Sequence, residues 1–296
     1  MASLKDIQRK IKSVKNTQKT TRAMKLVSSA KLRRTEELAK KSKVYAAKLN
    51  ELINEIAQKM CESESSLSDT PYFKNIENPK VVDVVFVTAD KGLCGGFNSQ
   101  TIKRVNRLIA KYKEEGAEVR LRAIGRKGID YYRFNAIDML DQIAGLSSSP
   151  EFEKSSEFIH EVASDFIAGK TQRVVLVNNG YVNMITQAIR ENQLLPIDPS
   201  QLSIGESCSP SDLELEPDDN DTLLEDLVKR YIEFSIYYAL IDSLAAEHSA
   251  RMQAMDAATN NAKDMVNRLT ISYNKARQEA ITTELIEIIS GVESMK

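Results

Sequence analysis

The sequence predicts an α/β protein in which two long terminal helices pair antiparallel in a left-handed coiled coil around a central α/β domain. Three observations carry this. All seven prolines and ten of the eleven glycines lie between Pro71 and Pro217, while residues 1–70 and 222–290 contain neither. A compact domain scatters its breakers, so such long breaker-free ends read as continuous helices. Each could extend roughly 90–100 Å at 1.5 Å rise per residue. Both ends carry a heptad stripe, and the middle alternates apolar strands with amphipathic helices.

In the N-terminal helix (1–60), Leu4, Ile7, Ile11 and Val14 keep a 3-4-3 spacing. Gln18 and Thr21 hold the next seam positions, Met24 and Val27 resume it, and Leu38, Tyr45, Leu49, Leu52 and Ile56 continue it. That narrow stripe belongs to a coiled-coil partner, not to a helix with a broad core face. A linker (61–79) leads into the central domain (80–196). There Val81–Thr88 is a strongly apolar strand, Ser99–Glu115 a helix, Glu118–Ile124 a strand and Glu151–Ala168 a helix, with further strands at Arg173–Asn178 and Met184–Ile189. The order implies a mostly parallel, Rossmann-like sheet covered by helices. An acidic connection (197–221) leads to the C-terminal helix (222–296). Its seam, Ile241, Ala245, His248, Met252, Met255, Thr259, Ala262, Val266, Leu269, Tyr273 and Ala276, alternates four and three and implies left-handed supercoiling.

Pairing the two ends from Met60 near Thr222 brings Leu4 close to Gln278. About 15–18 residues of the last helix, some 25 Å, are then without a partner in the chain. They carry Ile281, Leu285, Ile286, Ile288, Ile289, Val292 and Met295. An apolar single helix in water is a liability unless another molecule receives it, so the overhang predicts an obligate partner.

Composition and charge narrow the function. The chain has 296 residues, is 42% hydrophobic and 28% charged, and has a net charge of −1. Residues 1–48 hold fifteen Lys or Arg against three acids, whereas residues 191–228 hold eleven acids and no Lys or Arg. Such asymmetry points to partners. No apolar run is long enough to span a membrane, and the N-terminus has no secretory h-region. Cys61, Cys94 and Cys208 are far apart, which argues against a disulfide framework or zinc site and for a reducing compartment.

Gly92-Leu93-Cys94-Gly95-Gly96 follows the first strand and precedes a helix, where a phosphate-binding turn would lie. It matches neither Gly-rich nucleotide signature, so a tight strand-to-helix turn is the simpler reading. Cys94 lacks a nearby histidine to activate it, His248 sits in the seam, and His160 reads as structural. The basic first helix could bind nucleic acid electrostatically, but an acidic protein partner or a solvated face accounts for it better.

Several segments are similar to one family. Ile11-Lys12-Ser13-Val14-Lys15-Asn16-Thr17, Thr21-Arg22-Ala23-Met24-Lys25 and Ser29-Ala30-Lys31-Leu32-Arg33 resemble the gamma subunit of F-type ATP synthase. So do Asp90-Lys91-Gly92-Leu93-Cys94-Gly95-Gly96-Phe97-Asn98, Ala250-Arg251-Met252-Gln253-Ala254-Met255, Tyr273-Asn274-Lys275-Ala276-Arg277-Gln278 and Ile281-Thr282-Thr283-Glu284. The resemblance covers essentially the whole chain. It implies a non-catalytic central rotor shaft, without cofactor, metal or nucleic acid, whose partners are the alpha, beta and epsilon subunits and the membrane ring of c subunits. It implies that Met24, Arg251, Arg277, Gln278 and Thr282 contact beta, and that Ile281, Leu285, Ile288 and Val292 form the bearing tip. Leu213, Leu215 and Glu216, within Asp212–Asp218, would face the ring and epsilon. The chloroplast redox insert is absent, which favours a bacterial complex held peripherally on the cytoplasmic side of the inner membrane. Two positions depart from the family's pattern: Val292 follows Gly291 where Ala is usual, and Leu213 and Leu215 stand where aromatics are common. The competing expectation is a nucleotide-binding α/β enzyme with a helical dimerisation arm.

Overall fold

A computed structural model describes residues 4–62, 71–73, 76–197, 220–293 and 295. It divides into two compact units: Met1–Ser29 with Arg251–Lys296, and Ala30–Ala250. Helix α1 (Leu4–Glu62) and helix α5 (Asn220–Glu293) each contribute to both. Neither contains a proline, and the only glycine in them is Gly291, close to the end of α5.

The larger unit is built on a five-stranded sheet in the order β3-β2-β1-β4-β5. Strands β1 (Val81–Val87), β2 (Glu118–Ile124), β3 (Asp141–Ile143) and β4 (Arg173–Tyr181) run parallel, and β5 (Gln187–Leu195) closes one edge antiparallel to β4. Helices α2 (Phe97–Glu114), α3 (Arg126–Phe134) and α4 (Phe152–Ile167) complete it. β1 is central and buried on both faces, hence its unbroken apolar character. Val82, Val84 and Phe86 pack with Val105 and Leu108 of α2 and Ile129 and Tyr132 of α3. Val85 and Val87 face the other way, onto Phe158, Ile159 and Val162 of α4 and Ile232, Ile236 and Leu240 of α5. On this side Leu49 of α1 joins the same core, and the Tyr45 ring lies 4.6 Å from that of Phe234.

Most sequence-predicted elements of the middle are present, with three differences. The α3–β3 segment had no periodic signal, because β3 has three residues and α3 is nine residues long with Gly128 inside it. β4 runs to Tyr181 instead of ending at Asn178. The strand expected at Met184–Ile189 begins at Gln187 and extends to Leu195. Asn183 explains the shift: its side-chain oxygen accepts hydrogen bonds from the amides of Ile185 and Thr186, both at 2.8 Å, and so turns the chain.

Gly125 fixes the join of β2 to α3. It has φ +102°, and a Cβ there would lie 1.9 Å from the Thr88 carbonyl oxygen. Thr88 in turn donates its amide to Ile124 O at 2.8 Å and accepts the Gly128 amide on Oγ1 at 2.9 Å.

In the smaller unit α1 and α5 run antiparallel. Thr21 Oγ1 lies 2.8 Å from Thr259 Oγ1, and Lys25 Nζ donates to Asp256 at 2.6 Å, so partner numbers fall as α1 numbers rise. Along α5 the expected seam holds: Met255 and Ala262 are buried, and Met252, Thr259, Val266, Leu269, Tyr273 and Ala276 are half-buried. Along α1 the expected seam is corrected beyond Met24. Val27, Leu38 and Tyr45 are exposed; Ile7, Thr21, Ser28, Thr35, Ser42 and Leu49 are buried at spacings of seven or multiples of it, and Leu32 is buried between Ser28 and Thr35. The heptad row of this seam is occupied largely by hydroxyl residues, with Leu32 as an apolar position beside it. Those hydroxyls can be buried because they bond to their own helix, as Thr35 does to Lys31 O at 3.0 Å.

Candidate functional site

The turn at Gly92–Gly96 lies at the carboxyl end of β1, where open α/β sheets bind ligands. Leu93 and Gly95 both take positive φ, 63° and 58°. The neighbouring loops at this edge hold an anion of the chain's own. Asp90 accepts from the amides of Arg126 (3.0 Å), Gly145 (2.9 Å) and Ser148 (3.2 Å) and from Ser147 Oγ (2.9 Å). Burial pushes the Asp90 carboxyl up, but these hydrogen bonds outweigh it and hold it below its ordinary 3.8. Asp90 therefore ties the loops after β1, β2 and β3 into one edge. Cys94 is buried with Ala89, Phe97, Ala246 and Ala250, as a packed residue would be.

A charged cluster that no sequence signal announced lies on the α4 side of the sheet. Arg122, fully buried, donates to Asp83 at 2.9 Å and also to Asp141 and Asp165. Arg120 grips both oxygens of Asp83, at 2.6 and 2.8 Å, and Lys170 donates to Asp165 at 2.9 Å. Burial raises the Asp165 carboxyl, and the bonds from Lys170 and Arg122 more than reverse that. Three cations meet three carboxylates, so the cluster is neutral and knits β1, β2, β3 and α4. The only trace in the sequence is Asp83 inside an otherwise apolar strand, matched by Arg120 and Arg122 on the next.

In the smaller unit, the α5 seam contacts fade after Ala280. Ile281, Leu285, Ile288 and Val292 follow at four-three-four spacing, and all four are exposed, as are Ile286 and Ile289. Helical periodicity puts Arg277 at the head of that stripe and Gln278 and Thr282 on the adjoining one. Thr282 Oγ1 donates to Gln278 O at 2.9 Å. Arg277, Gln278 and Thr282 are exposed and Met24 is half-buried, whereas Arg251 is buried. A groove of about 540 Å³ between the two helices carries Lys19, Arg22, Lys25 and Lys263 against the single acid Asp256. The structure thus gathers Arg277, Gln278, Thr282 and the apolar tip on one helix end. Met24 and Arg251 do not join them there. Leu213, Leu215 and Glu216 lie outside the described residues.

A family model described as ATP synthase matches residues 3–295. Full-length relatives carry the name ATP synthase gamma chain: one from Sulfurovum sp. is 69% identical over 296 residues, and one from Nitratiruptor sp. 60%, each comparison covering all of both chains. The chain belongs to the ATP synthase gamma-chain family. Among solved structures, a chain of the Euglena gracilis mitochondrial ATP synthase (OSCP, F1 and c-ring) superposes with a TM-score of 0.67 at 17% identity, covering 99% of this chain and 94% of that one. That likeness speaks for the fold. A chain of the Tetrahymena thermophila mitochondrial ATP synthase central stalk and c-ring gives 0.62 at 25% identity, covering 81% and 99%. Membership accounts for the resemblance from end to end. Among the described residues, no helix is long and apolar enough to cross a membrane.

Proposed function

We propose that this chain is the central rotor shaft of an F-type ATP synthase, a non-catalytic subunit that couples rotation of the membrane ring to ATP synthesis or hydrolysis in the alpha-beta hexamer. The observation that carries this is the exposed apolar stripe Ile281–Val292 on a helix past its last intrachain seam contact. Such a surface needs a receiving sleeve. The related Tetrahymena chain comes from a central stalk with its c-ring. Here Ile281, Leu285, Ile288 and Val292 turn within the hexamer as the bearing tip, and Arg277, Gln278 and Thr282 offer polar groups to beta at its base. Met24 and Arg251 contact beta lower on the paired helices, Arg251 through whatever rim its burial leaves accessible. Leu213, Leu215 and Glu216 face the c-ring and epsilon. The coiled-coil segments 1–60 and 222–296 serve as the shaft, with 80–196 as the attached domain, 61–79 as the linker and 197–221 as the acidic connection. Association with the membrane is peripheral, on the cytoplasmic side.

Deleting Ile281–Lys296 is expected to weaken co-purification with alpha and beta at least about tenfold, since several buried apolar side chains are lost. Equal recovery of the truncated chain in the complex would end this reading. The Gly92–Gly96 turn on which the nucleotide-enzyme alternative relies fits neither Gly-rich nucleotide signature, and Asp90 takes up the amides of Arg126, Gly145 and Ser148 in the neighbouring loops. Titrating the full chain with ATP checks it: saturable binding lost on Gly95→Leu would restore that alternative.

A further inference from the structure

Within residues 30–250, the β4–β5 hairpin is bonded to α5 from Ala239 to Ser249, roughly three helical turns. At one end Asn178 donates its side-chain amide to Ala239 O at 3.4 Å. At the other, Gln187 donates to Ser249 Oγ at 2.8 Å, and Ser249 Oγ donates to Met184 O at 2.9 Å. Between them stands a closed set of contacts. Asp242 of α5 is 3% exposed and accepts the Tyr181 amide at 3.2 Å, while Arg190 of β5 donates to the Tyr181 carbonyl at 3.3 Å. Arg190 and Asp242 pair with each other at 3.1 Å. Both backbone groups of one β4 residue are thus held by an ion pair that bridges β5 and α5. Gly180 makes room for that pair: a Cβ there would lie 2.2 Å from Arg190 Nε and 2.7 Å from Asp242 Oδ2.

Stability alone does not account for this arrangement. A buried ion pair adds little over apolar residues of like volume, and a glycine inside a strand weakens it. What the pair supplies is direction. Ile232, Ile236 and Leu240 seat α5 in the apolar core, and such burial has no preferred direction. Hydrogen bonds and forked ion pairs weaken steeply once donor and acceptor are misaligned, so those on Asp242 oppose rotation of α5 against the hairpin. From there α5 runs on to Glu293, with no proline or glycine before Gly291. We propose that Gly180, Arg190 and Asp242 form a torsional lock between the β4–β5 hairpin and α5, through which turning force on the central domain enters the shaft helix. This rests on the chain being the rotor shaft.

The test uses purified ATP synthase containing this chain, fixed by its alpha-beta hexamer, with a probe on the c-ring. The natural chain is expected to turn the probe when ATP is added; a probe that never turns would end the rotor reading itself. The lock is read without ATP, as the angular spread of the resting probe. Asp242→Asn keeps an acceptor for the Tyr181 amide but sets an amide, not a charge, against Arg190. Gly180→Ala keeps both charges and drives them apart. Both are expected to widen the spread and, in sealed vesicles, to lower the ions pumped per ATP hydrolysed as the gradient builds. Hydrolysis in leaky vesicles should be unchanged. Arg122→Lys loosens the same domain through partners on β1, β3 and α4, and should lower the melting temperature without widening the spread. A lock variant with the natural spread, or an equal widening by Arg122→Lys, would overturn the lock while leaving the rotor reading intact. Asp242→Asn decides the matter even if Gly180→Ala fails to assemble.

Discussion

Arg122 is buried beside Asp83, whose side chain has no exposure at all, so neither charge can be removed without stranding another. Replacing Arg122 with Leu is expected to destabilise the chain by about 3–5 kcal/mol, the usual cost of leaving a buried charge unpaired. Arg122→Lys should recover only part of this, because one ammonium cannot reproduce a fork directed at three carboxylates. Urea unfolding of the full-length chain measures both. Asp90 has a different signature. Its carboxyl is held below 3.8 in the fold, so its stabilising contribution is complete above that pH and is lost as the pH falls through the lower folded value. Melting curves taken from pH 6 down to about 3 should therefore show a steeper loss for the natural chain than for Asp90→Asn. The variant should be less stable by about 1–2 kcal/mol near neutrality. A pH slope identical in both would show that Asp90 does not carry it. Neither role follows from residue type alone, since the partners of Asp90 lie 36–58 positions away and those of Arg122 19–43.

The elements differ in how openly the sequence displays them. The α5 seam from Met252 to Ala276 is readable because a helix repeats its facing positions locally, at intervals any window can detect. The α1 seam past Met24 departs from the apolar stripe because Ser28, Thr35 and Ser42 occupy much of it, and hydroxyl residues do not register in a hydrophobic pattern. Thr21 and Thr259 illustrate how such a seam is held. Each lies within hydrogen-bond distance of a backbone carbonyl in its own helix and of the other hydroxyl, so two hydroxyl hydrogens serve three contacts. Thr21→Val and Thr259→Val are expected to cost about 1 kcal/mol singly and less than their sum together, giving a coupling of about 0.5–1 kcal/mol in a double-mutant cycle. Strict additivity would mean the hydroxyls do not interact in solution. At the other end of the scale, Gly125→Ala should prevent the β2–α3 join from forming, since the added Cβ lies 1.9 Å from Thr88 O. Gly116→Ala, also at positive φ but with open space around it, should cost only about 1 kcal/mol. Thermal melts of the two variants distinguish the steric from the conformational penalty.

For the molecule as a whole, the apolar end of α5 sets solubility against assembly. Changing Ile281, Leu285, Ile288 and Val292 together to Gln is expected to keep the free chain in solution longer while reducing its incorporation with alpha and beta at least about tenfold. Sedimentation of the free chain and pull-down with the two subunits read the two effects separately, and a fall in solubility with unchanged assembly would contradict the bearing assignment. This feature was legible in advance because it needs only two local facts, the placement of Pro and Gly and the period of the apolar residues, plus the difference in length between the two helices. The parallel strands were legible for the same reason: β1 is apolar throughout because both its faces are covered. The sequence by itself thus determined the two long helices, the alternating middle and the unpartnered apolar end. Only the tertiary structure decided that Arg122 gathers three carboxylates, that Asp90 ties three loops together at one sheet edge, and that hydroxyls occupy much of the α1 seam. Those outcomes depend on which distant segments meet, and local periodicity carries no record of that.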